Sequence, residues 1–312
     1  MRICYLVQNH LAPPAARRLV GTIRRSQPGA CCLVVHDQLA GHATVDELRR
    51  ALDPLGADVL PVRERPRRGY FSLLEPYLLG LEWLADRGVS YDWIVHLSAQ
   101  DYPARPLKSF EDRLATSGCD GFLRFWNALD RETPWGRPRQ GFHRYFYQYR
   151  DAPRWTAPAL GLLRSLNGIQ PWMHVHLVYG PRLGLRRLHR PPPFGPSMKC
   201  YAGTQWTTLS RACAEHILEQ VRGDSPLVRW FRRTVCPDEA VIPTLLVNAG
   251  RFRLCDDDLR YADFTGSKKS GSPRVLTLDD LPAITGGSHY FARKFDAGCD
   301  EAVLDRLDEI VG

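Results

Sequence analysis

The chain has 312 residues, 44% of them hydrophobic and 24% charged, so its composition predicts a packed core. It contains no run of about 18 uncharged apolar residues, so no membrane-spanning helix is expected. Its formal charge of +8 favours anionic partners, for which nucleic acid and a nucleotide diphosphate are the two candidates.

The first part of the chain alternates between strand patterns and helix patterns. The predicted elements, in chain order, are a strand at 2–7, a helix at 13–26, a strand at 30–37, a helix at 44–55, a strand at 57–62, a helix at 72–88 and a strand at 91–101. Thr44 and Glu47 have the capping-box spacing, and Gly88 is a predicted C-cap. This alternation predicts an α/β fold with a mainly parallel sheet.

Ligands of such sheets bind outside the carboxyl ends of the strands. Polar residues follow three of the predicted strands at these ends, namely Asn9 and His10, His36 and Asp37, and Ser98 to Asp101. The glycine fingerprint GxGxxG does not follow the first strand, and the P-loop pattern does not occur. The sequence therefore gives no support to a dinucleotide oxidoreductase or a P-loop NTPase.

The remainder of the chain is less regular. Residues 102–200 interleave arginines with aromatic residues, which either stack on sugars or bases or form an ordinary half-buried surface. The stretch 179–199 is dense in Pro, Gly and Arg and predicts a mobile loop beside an anion site. Residues 202–221 predict a short strand or turn and then a helix. No repeat or clear linker interrupts the sequence, so one domain over 1–312 is predicted.

Nine cysteines are scattered along the chain, and no pair has the CxxC spacing of a metal clip. They are predicted to be free, mostly buried thiols, which fits a reducing compartment. The first residues, MRICYLVQNHLAPP, lack a small-residue cleavage site and predict a strand rather than a signal peptide. A soluble cytoplasmic protein is therefore expected.

The segment VCPDEAVIP, residues 235–243, allows two interpretations. Pro237 suits the first position of a helix, and acids in a first turn complement the helix dipole, which is a structural role. Alternatively, Glu239 is a catalytic base held at a helix N-terminus. Pro243 lacks the N–H that would bond back to residue 239, so this helix is predicted to be short or kinked.

Several ordered stretches resemble one family. They are HLSAQDYPARPL (96–107), AGTQWTTLSR (202–211), CPDEAVIPTLLVN (236–248), LRYADF (259–264) and SPRVLTLDDL with HYFARKFD (272–296). They resemble segments of glycosyltransferase family 14, the core-2/I-branching β-1,6-N-acetylglucosaminyltransferases and peptide xylosyltransferases. The resemblance implies a GT-A fold, with a nucleotide-binding half at 1–110 and an acceptor-binding, catalytic half at 111–312.

The implied activity is an inverting transfer of a sugar from a UDP-sugar to an acceptor hydroxyl. N-acetylglucosamine is the first candidate for the sugar, and xylose is the alternative because the family uses both donors. The implied partners are the UDP-sugar and a hydroxyl-bearing glycan or small molecule. A nucleotide- or glycan-binding protein without turnover and a nucleic-acid binder are the competing hypotheses from other classes.

The family resemblance also implies roles for charged residues. Glu239 corresponds to the general base, and Asp238 is expected to cap or orient its turn. Lys294 corresponds to a lysine that holds the diphosphate. Arg274 is the candidate for its basic partner, with Lys268 and Lys269 as rivals.

No cofactor and no obligatory metal are expected, because the loop SAQDYP has no Asp-x-Asp and the branching enzymes use basic side chains instead. The acids Asp256, Asp257 and Asp258 remain open as a solvated turn or a metal site.

Other correspondences concern the substrates. The nucleotide is expected at Val7, Asn9, Asp37, Tyr70 and Ser72. The donor or acceptor sugar is expected at Asp101, Arg144, Tyr145, Trp206, Asp238 and Tyr261. Trp206 and Tyr261 either stack on a sugar ring or fill the core. The eukaryotic members are Golgi membrane proteins, whereas this sequence begins directly with a strand pattern, so a bacterial enzyme is expected.

Overall fold

The structure is a computed structural model that describes residues 1–135, 139–152, 175–177, 182–185, 191–265 and 271–312. The first strands and helices are β1 (Ile3–Asn9), α1 (Pro13–Ser26), β2 (Cys31–His36), α2 (Val45–Leu52), β3 (Asp58–Pro61), α3 (Glu75–Asp86), β4 (Trp93–Ser98), β5 (Asp101–Pro103) and α4 (Leu107–Thr116). They are followed by β6 (Gly121–Asn127), α5 (Gln140–Tyr145), β7 (Gln148–Asp151), β8 (Val175–Leu177), β9 (Arg182–Leu185), β10 (Tyr201–Ser210), α6 (Arg211–Arg222), α7 (Pro226–Phe231), α8 (Val241–Ala249), β11 (Leu254–Asp256), β12 (Arg260–Ala262), α9 (Leu281–Gly286), β13 (Phe291–Arg293) and α10 (Ala302–Val311).

A seven-stranded sheet forms the centre, in the order β11, β6, β10, β4, β1, β2, β3. Neighbouring strands are parallel except β10, which is antiparallel to both β4 and β6. The predicted α/β fold, with a mainly parallel central sheet flanked by helices, is confirmed, and its GT-A type stays a prediction. β10 joins strands from the two halves of the chain in the middle of this sheet.

The alternation of side chains along β1 explains why helices cover both faces. Tyr5 and Val7 pack into one core with α1 and α4, whereas Cys4 and Leu6 pack into the other with α3 and α6. A strand that is apolar on both faces has to be covered on both, as in parallel α/β sheets. Gly80 allows α3 to lie close to β1, because a Cβ atom there would collide with Leu6.

Two smaller sheets flank the central one. β13 lies between β12 and β5, and β9 lies between β7 and β8. In the first sheet Arg293 is opposite Asp101, which connects the C-terminal part of the chain to the segment after β4. The second sheet contains residues 182–185, which corrects part of the predicted mobile loop at 179–199. Residues 179–181 and 186–190 of that loop lie outside the described residues.

Several helix ends lie where local sequence signals predict them. Helix α1 has the predicted bounds, and Thr44 and Glu47 form the capping box of α2. Helix α3 begins later than predicted, at Glu75, after a separate single turn at Phe71–Leu73. Among the described residues, none of the helices combines the length and apolar character needed to cross a membrane.

Two strands differ from their predicted extents. β4 ends at Ser98 rather than 101, because Asp101 Oδ2 accepts the Ser98 N–H at 2.6 Å and closes a turn. The short strand or turn predicted near 202 is the ten-residue strand β10. Its register is irregular between Gly203 and Thr207, which hides the strand periodicity in the sequence.

The prediction of free cysteines is wrong for one pair. Cys119 and Cys255 form a disulfide. β11 pairs in parallel with β6 and brings Cys255 opposite Phe122, close to the start of β6. Sequence spacing could not show this, because 136 residues separate the two cysteines. The prediction of buried free thiols holds for Cys4, Cys32, Cys200, Cys213 and Cys236.

Candidate active site

Several predicted site residues lie along the carboxyl edge of the central sheet. β1, β2 and β4 end there in parallel, and β10 begins there because it runs in the opposite direction. Gln205 Nε2 donates to Gln8 Oε1 at 3.1 Å, so the start of β10 contacts the end of β1. Tyr201 at the same edge bonds through both its backbone N–H and C=O to Thr244 of α8. The edge therefore holds the helix that follows Glu239.

Glu239 lies in a single 3-10 turn, Pro237–Glu239, that precedes α8. Cys236 before this turn has left-handed backbone angles, φ 51 and ψ 52, which separate the turn from the chain before it. The Cys236 N–H donates to Gly69 O at 3.1 Å, and Tyr145 Oη donates to Cys236 O at 3.3 Å. Pro243 lies in the first turn of α8, where its missing N–H interrupts no helix hydrogen bond.

Arg144 and Glu239 form an ion pair. The Arg144 guanidinium donates to Glu239 Oε2 and also lies over the Trp135 ring, 4.7 Å from its centroid. The Arg144 side chain is 10% exposed, whereas that of Glu239 is 29% exposed. The carboxylate is therefore both oriented by a fixed cation and open to a ligand. Three residues expected at the site, Arg144, Tyr145 and Glu239, thus come together.

Asp238 has a different environment from its neighbour. Asp238 is 5% exposed, and its Oδ1 has no hydrogen-bond partner among the described residues. Burial, followed by the negative charge of Glu239, raises the pKa of Asp238 to about 7, against the opposing effects of Arg144 and Arg68. Neither adjacent helix has a side-chain cap, so the structure does not show Asp238 as a cap, and the alternative that it orients the turn stays a prediction.

Lys294 directly follows β13 and lies close to the end of β1. Burial is the largest cause that lowers the pKa of His10, which follows β1, and the positive charge of Lys294 is the next. Its backbone is fixed, since Lys294 O accepts the Leu276 N–H at 2.8 Å. Within the described ranges, its ammonium group has no ion-pair partner, so this cation is available to an anion at the carboxyl edge.

Arg274 is already engaged by carboxylates. Its Nε donates to Asp263 at 2.6 Å, and its Nη1 donates to Asp280 at 2.8 Å. A diphosphate at Arg274 would have to compete with both. The rival candidates Lys268 and Lys269 lie outside the described residues.

The residues expected at the nucleotide fall into two groups. Val7, Asn9 and Asp37 lie together at the ends of β1 and β2, where Asn9 Nδ2 is 3.0 Å from His36 Nδ1. Asp37 Oδ1 accepts the Leu39 N–H at 3.0 Å, and the Val7 side chain is fully buried in the core. The expected nucleotide contact at Val7 stays a prediction.

Tyr70 and Ser72 form the second group, in the loop before α3. Tyr70 Oη donates to Asp151 at 2.6 Å, and Ser72 Oγ accepts the Arg67 N–H at 3.1 Å. Through Gly69 this loop contacts the segment that leads to Glu239. The structure therefore associates these two residues with the segment before Glu239 rather than with the end of β1.

Asp101 and Trp206 contact the same arginine. Asp101 is buried, and its Oδ1 lies 3.0 Å from Arg293 Nε. The Arg293 guanidinium lies 4.0 Å from the centroid of Trp206, which is 9% exposed. These contacts favour the core-filling interpretation of Trp206. Tyr261 on β12 is half-buried and lies 5.1 Å, ring to ring, from His289.

The three consecutive acids at 256–258 each have backbone partners. Asp256 Oδ1 accepts the Phe125 N–H at 3.0 Å, and Asp257 Oδ1 accepts the Leu259 N–H at 2.8 Å. Asp258 is buried, and its Oδ2 accepts the Thr204 hydroxyl at 2.8 Å. In the part of the chain that the structure describes, no three His, Cys, Asp or Glu side chains converge as a metal site.

Sequence reasoning missed Arg182, which holds the Glu239 segment from outside. Arg182 donates to the carbonyls of Gly69 and Thr234. Arg182 gave no signal because it belongs to an irregular, arginine-rich stretch without a usable period. Gly69 has φ +80, which is the kind of position that favours glycine, but a lone glycine in a loop does not reveal its partner.

Comparison with known proteins agrees with the sequence motifs. The family model described as "Core-2/I-Branching enzyme" matches residues 172–285. Xylosyltransferase 2 from Bos taurus is 26% identical over 289 residues, which cover 86% of this chain and 28% of that protein. Xylosyltransferase oxt from Drosophila pseudoobscura pseudoobscura is 25% identical over 262 residues, which cover 77% of this chain and 26% of that protein. The predicted resemblance to this family is confirmed, and the chain spans about a quarter of the length of these relatives.

Solved structures share less with the chain. A mannosyltransferase from Pyrobaculum calidifontis in complex with GDP-Man and Mn²⁺ aligns with a TM-score of 0.28 and 16% identity, over 45% of this chain and 37% of that one. A putative glucose-1-phosphate thymidylyltransferase from Bacillus anthracis aligns with a TM-score of 0.37 and 10% identity, over 100% of this chain and 95% of that one.

Proposed function

We propose that this chain, which resembles the core-2/I-branching enzymes and xylosyltransferases, is an inverting glycosyltransferase that uses a UDP-sugar. The observation that carries the proposal is the Arg144–Glu239 ion pair, in which a fixed cation orients a partly exposed carboxylate. An inverting transferase needs one carboxylate within hydrogen-bond reach of the acceptor hydroxyl. Glu239 is the candidate for this general base.

The proposed step is a single displacement at the anomeric carbon. Glu239 accepts the proton of the acceptor hydroxyl. At the same time the hydroxyl oxygen attacks the anomeric carbon from the side opposite the diphosphate. The bond between the anomeric carbon and the phosphate oxygen breaks, and its electron pair leaves with UDP. The configuration is inverted because the new bond forms on the opposite face.

The leaving UDP needs positive charge, because negative charge develops on its phosphate oxygen. We assign this role to Lys294, whose ammonium group has no ion-pair partner among the described residues and which lies near His10 at the end of β1. A fixed cation stabilises developing charge as a metal would. Arg274 remains a candidate partner, although it would have to exchange Asp263 and Asp280 for phosphate.

Two donors are candidates. N-acetylglucosamine follows from the family motifs, and xylose is supported by the names of the relatives, both of which are xylosyltransferases. The acceptor is proposed to be a hydroxyl-bearing glycan or small molecule. A nucleotide- or glycan-binding protein without turnover is the competing hypothesis.

The test is release of UDP from UDP-GlcNAc, UDP-xylose, UDP-glucose and UDP-galactose, each with EDTA or with Mn²⁺. Slow hydrolysis of the donor makes an acceptor unnecessary. We expect release from one donor, and equal rates with EDTA and Mn²⁺ if basic side chains alone hold the diphosphate. Loss of activity in EDTA would contradict the cationic mechanism and make Asp256–Asp258 the next target. Absence of both release and binding would contradict the transferase proposal.

The role of Glu239 is tested separately, by Glu239→Gln with the donor identified above and a hydroxyl acceptor. Loss of a general base typically lowers the rate about 10²–10⁴-fold. UDP binding should not change, because the base does not contact the nucleotide in this mechanism. The exposed Glu309→Gln on α10 is the control and should keep the full rate.

A further inference from the structure

Three segments of the chain meet at the carbonyl group of Gly69. Gly69 O accepts the Cys236 N–H at 3.1 Å and Nη1 of Arg182 at 2.8 Å. Nη2 of Arg182 donates to Thr234 O at 3.2 Å. One guanidinium on β9 therefore connects the loop before α3 with the backbone directly before the Pro237–Glu239 turn.

Arg182 is among the most buried charged residues of the described chain, with 3% of its side chain exposed. Tyr70 and Tyr149 cover it, with ring centroids 4.0 and 5.4 Å from its guanidinium carbon. Burial lowers the pKa of Arg182, while Tyr70 and Asp151 act in the opposite direction. A buried guanidinium is costly unless its donors are used, and here two of them bond to backbone carbonyls.

The backbone that Arg182 contacts has an unusual conformation. The Cys236 backbone has a left-handed conformation, which non-glycine residues rarely adopt. Such a conformation persists only where neighbouring contacts hold it. Arg182 bonds to Thr234 O two residues before Cys236, and to Gly69 O, which accepts the Cys236 N–H itself. Glu239 follows three positions later.

We propose that Arg182 is a positioning residue that fixes the 234–239 segment, and with it the Glu239 carboxylate, against the loop of Gly69. The inference rests on the proposed role of Glu239 as base. Arg182 does not touch the reacting atoms and acts only through the backbone of Thr234 and Gly69. Its removal should misplace the carboxylate without changing the donor site at the end of β1.

The chain offers a matched control in Arg67. Its guanidinium also stacks on Tyr70, 3.8 Å from the centroid, and pairs with Asp151 at 3.4 Å. Its side chain is 55% exposed and has no hydrogen bond to Gly69 or Thr234. Arg67→Met and Arg182→Met therefore both remove a cation from Tyr70 and Asp151, but only the second removes the bonds to the backbone.

The first measurement is amide hydrogen exchange of the full chain, with wild type, Arg182→Met, Arg182→Lys and Arg67→Met compared below their melting temperatures. We expect the Cys236 amide to exchange about tenfold faster in Arg182→Met, because the carbonyl that it bonds is no longer held. In Arg67→Met the exchange rate of the Cys236 amide should stay within about twofold of wild type, because Arg182 keeps its bonds to both backbone carbonyls. Arg182→Lys should lie between them, because an ammonium group can replace one of the two donors.

The second measurement separates kcat from KM for UDP release in the presence of the hydroxyl acceptor used for Glu239→Gln, with UDP-GlcNAc and UDP-xylose as the probes. Misplacement of a reacting group by about 1 Å lowers rates by up to about 10²-fold, so Arg182→Met should lose kcat while the KM for the UDP-sugar is unchanged. Partial recovery of kcat in Arg182→Lys is expected. Because an unfolded fraction also lowers the apparent kcat at constant KM, each rate is divided by the folded fraction measured by thermal melting. A loss of folded protein alone would then leave the corrected kcat unchanged.

The outcomes distinguish the two proposals. Equal exchange at Cys236 in Arg182→Met and Arg67→Met would overturn the positioning role, as would faster exchange with an unchanged kcat. If wild type releases no UDP from any donor, the proposed function fails, and positioning of a catalytic base fails with it. In that case the exchange data would still decide whether Arg182 holds the segment.

Discussion

At the residue scale, the candidate site places two adjacent carboxyl groups in opposite environments. Glu239 is partly exposed and paired with Arg144, whereas Asp238 is buried and its Oδ1 lacks a partner among the described residues. The left-handed Cys236 and the Pro237–Glu239 turn make this possible, because consecutive side chains of a tight turn point in different directions. The two groups should therefore respond differently to pH.

Asp238 should make the protein less stable as pH rises. Its pKa is raised in the folded state, to about 7, so between the unfolded pKa and this value the folded state binds the extra proton. The free energy of unfolding then falls by about 1 kcal/mol per pH unit from about pH 4 to about pH 7. Asp238→Asn should remove this contribution, whereas that of Glu75, whose pKa burial and Glu64 also raise to about 7, should remain. Urea unfolding across this range measures it.

The exposed Asp46→Asn is the control for this measurement, since Asp46 is 81% exposed and belongs to α2, far along the chain from the site. It should leave the pH dependence of the free energy of unfolding as in wild type. A slope in Asp238→Asn that equals that of wild type would contradict the assignment to Asp238.

At the element scale, packing between α3 and β1 depends on a single glycine. A Cβ atom at Gly80 would collide with Leu6, which is fully buried in β1. The helix lies close to the strand only because this position has no side chain.

Gly80→Ala should destabilise the protein by about 1–3 kcal/mol, because overpacking outweighs the better helix propensity of alanine. Chemical denaturation measures this free energy. Gly286→Ala in α9 is the matched control, because open space surrounds that position and its φ is not positive. It should be neutral or slightly stabilising, and an equal loss in both variants would argue against the close contact with Leu6.

The elements could be predicted from sequence where a local signal existed. The proline start of α1 and the Thr44–Glu47 capping box are such signals, and both agree with the structure. The Cys119–Cys255 disulfide and the Arg182 bonds depend on which distant segments become neighbours, which periodicity cannot show. Family resemblance indicates Glu239 as the candidate base. Its ion pair with Arg144 could not be predicted, because it depends on how segments 95 residues apart fold together.

At the scale of the whole molecule, the formal charge of +8 attracts any anion, so binding of UDP alone does not identify a site. Two lysines allow the general field to be separated from a local contact. Lys294 lies near the end of β1, whereas Lys108 is an exposed residue of α4 that pairs with Asp112. Replacing either one lowers the net charge by the same amount.

Lys294→Met should weaken UDP binding about tenfold, because a charge-assisted contact to phosphate is lost, whereas Lys108→Met should not. Thermal shift with UDP measures the difference, since a ligand that binds only the folded state stabilises by mass action. Equal weakening in both variants would mean that the overall field, and not Lys294, holds the nucleotide. Duplex DNA at low salt should stabilise neither variant more than UDP does.

The position of β10 has a consequence for any attempt to divide the molecule. This strand bonds on one side to β4 and on the other to β6, so the backbone ladder runs without interruption from residues before 110 to residues after it. A fragment ending after α4 would expose the open edge of β4, and unpaired strand edges recruit other chains. Fragments cut there should aggregate when made alone and should recover a folded state only when produced together.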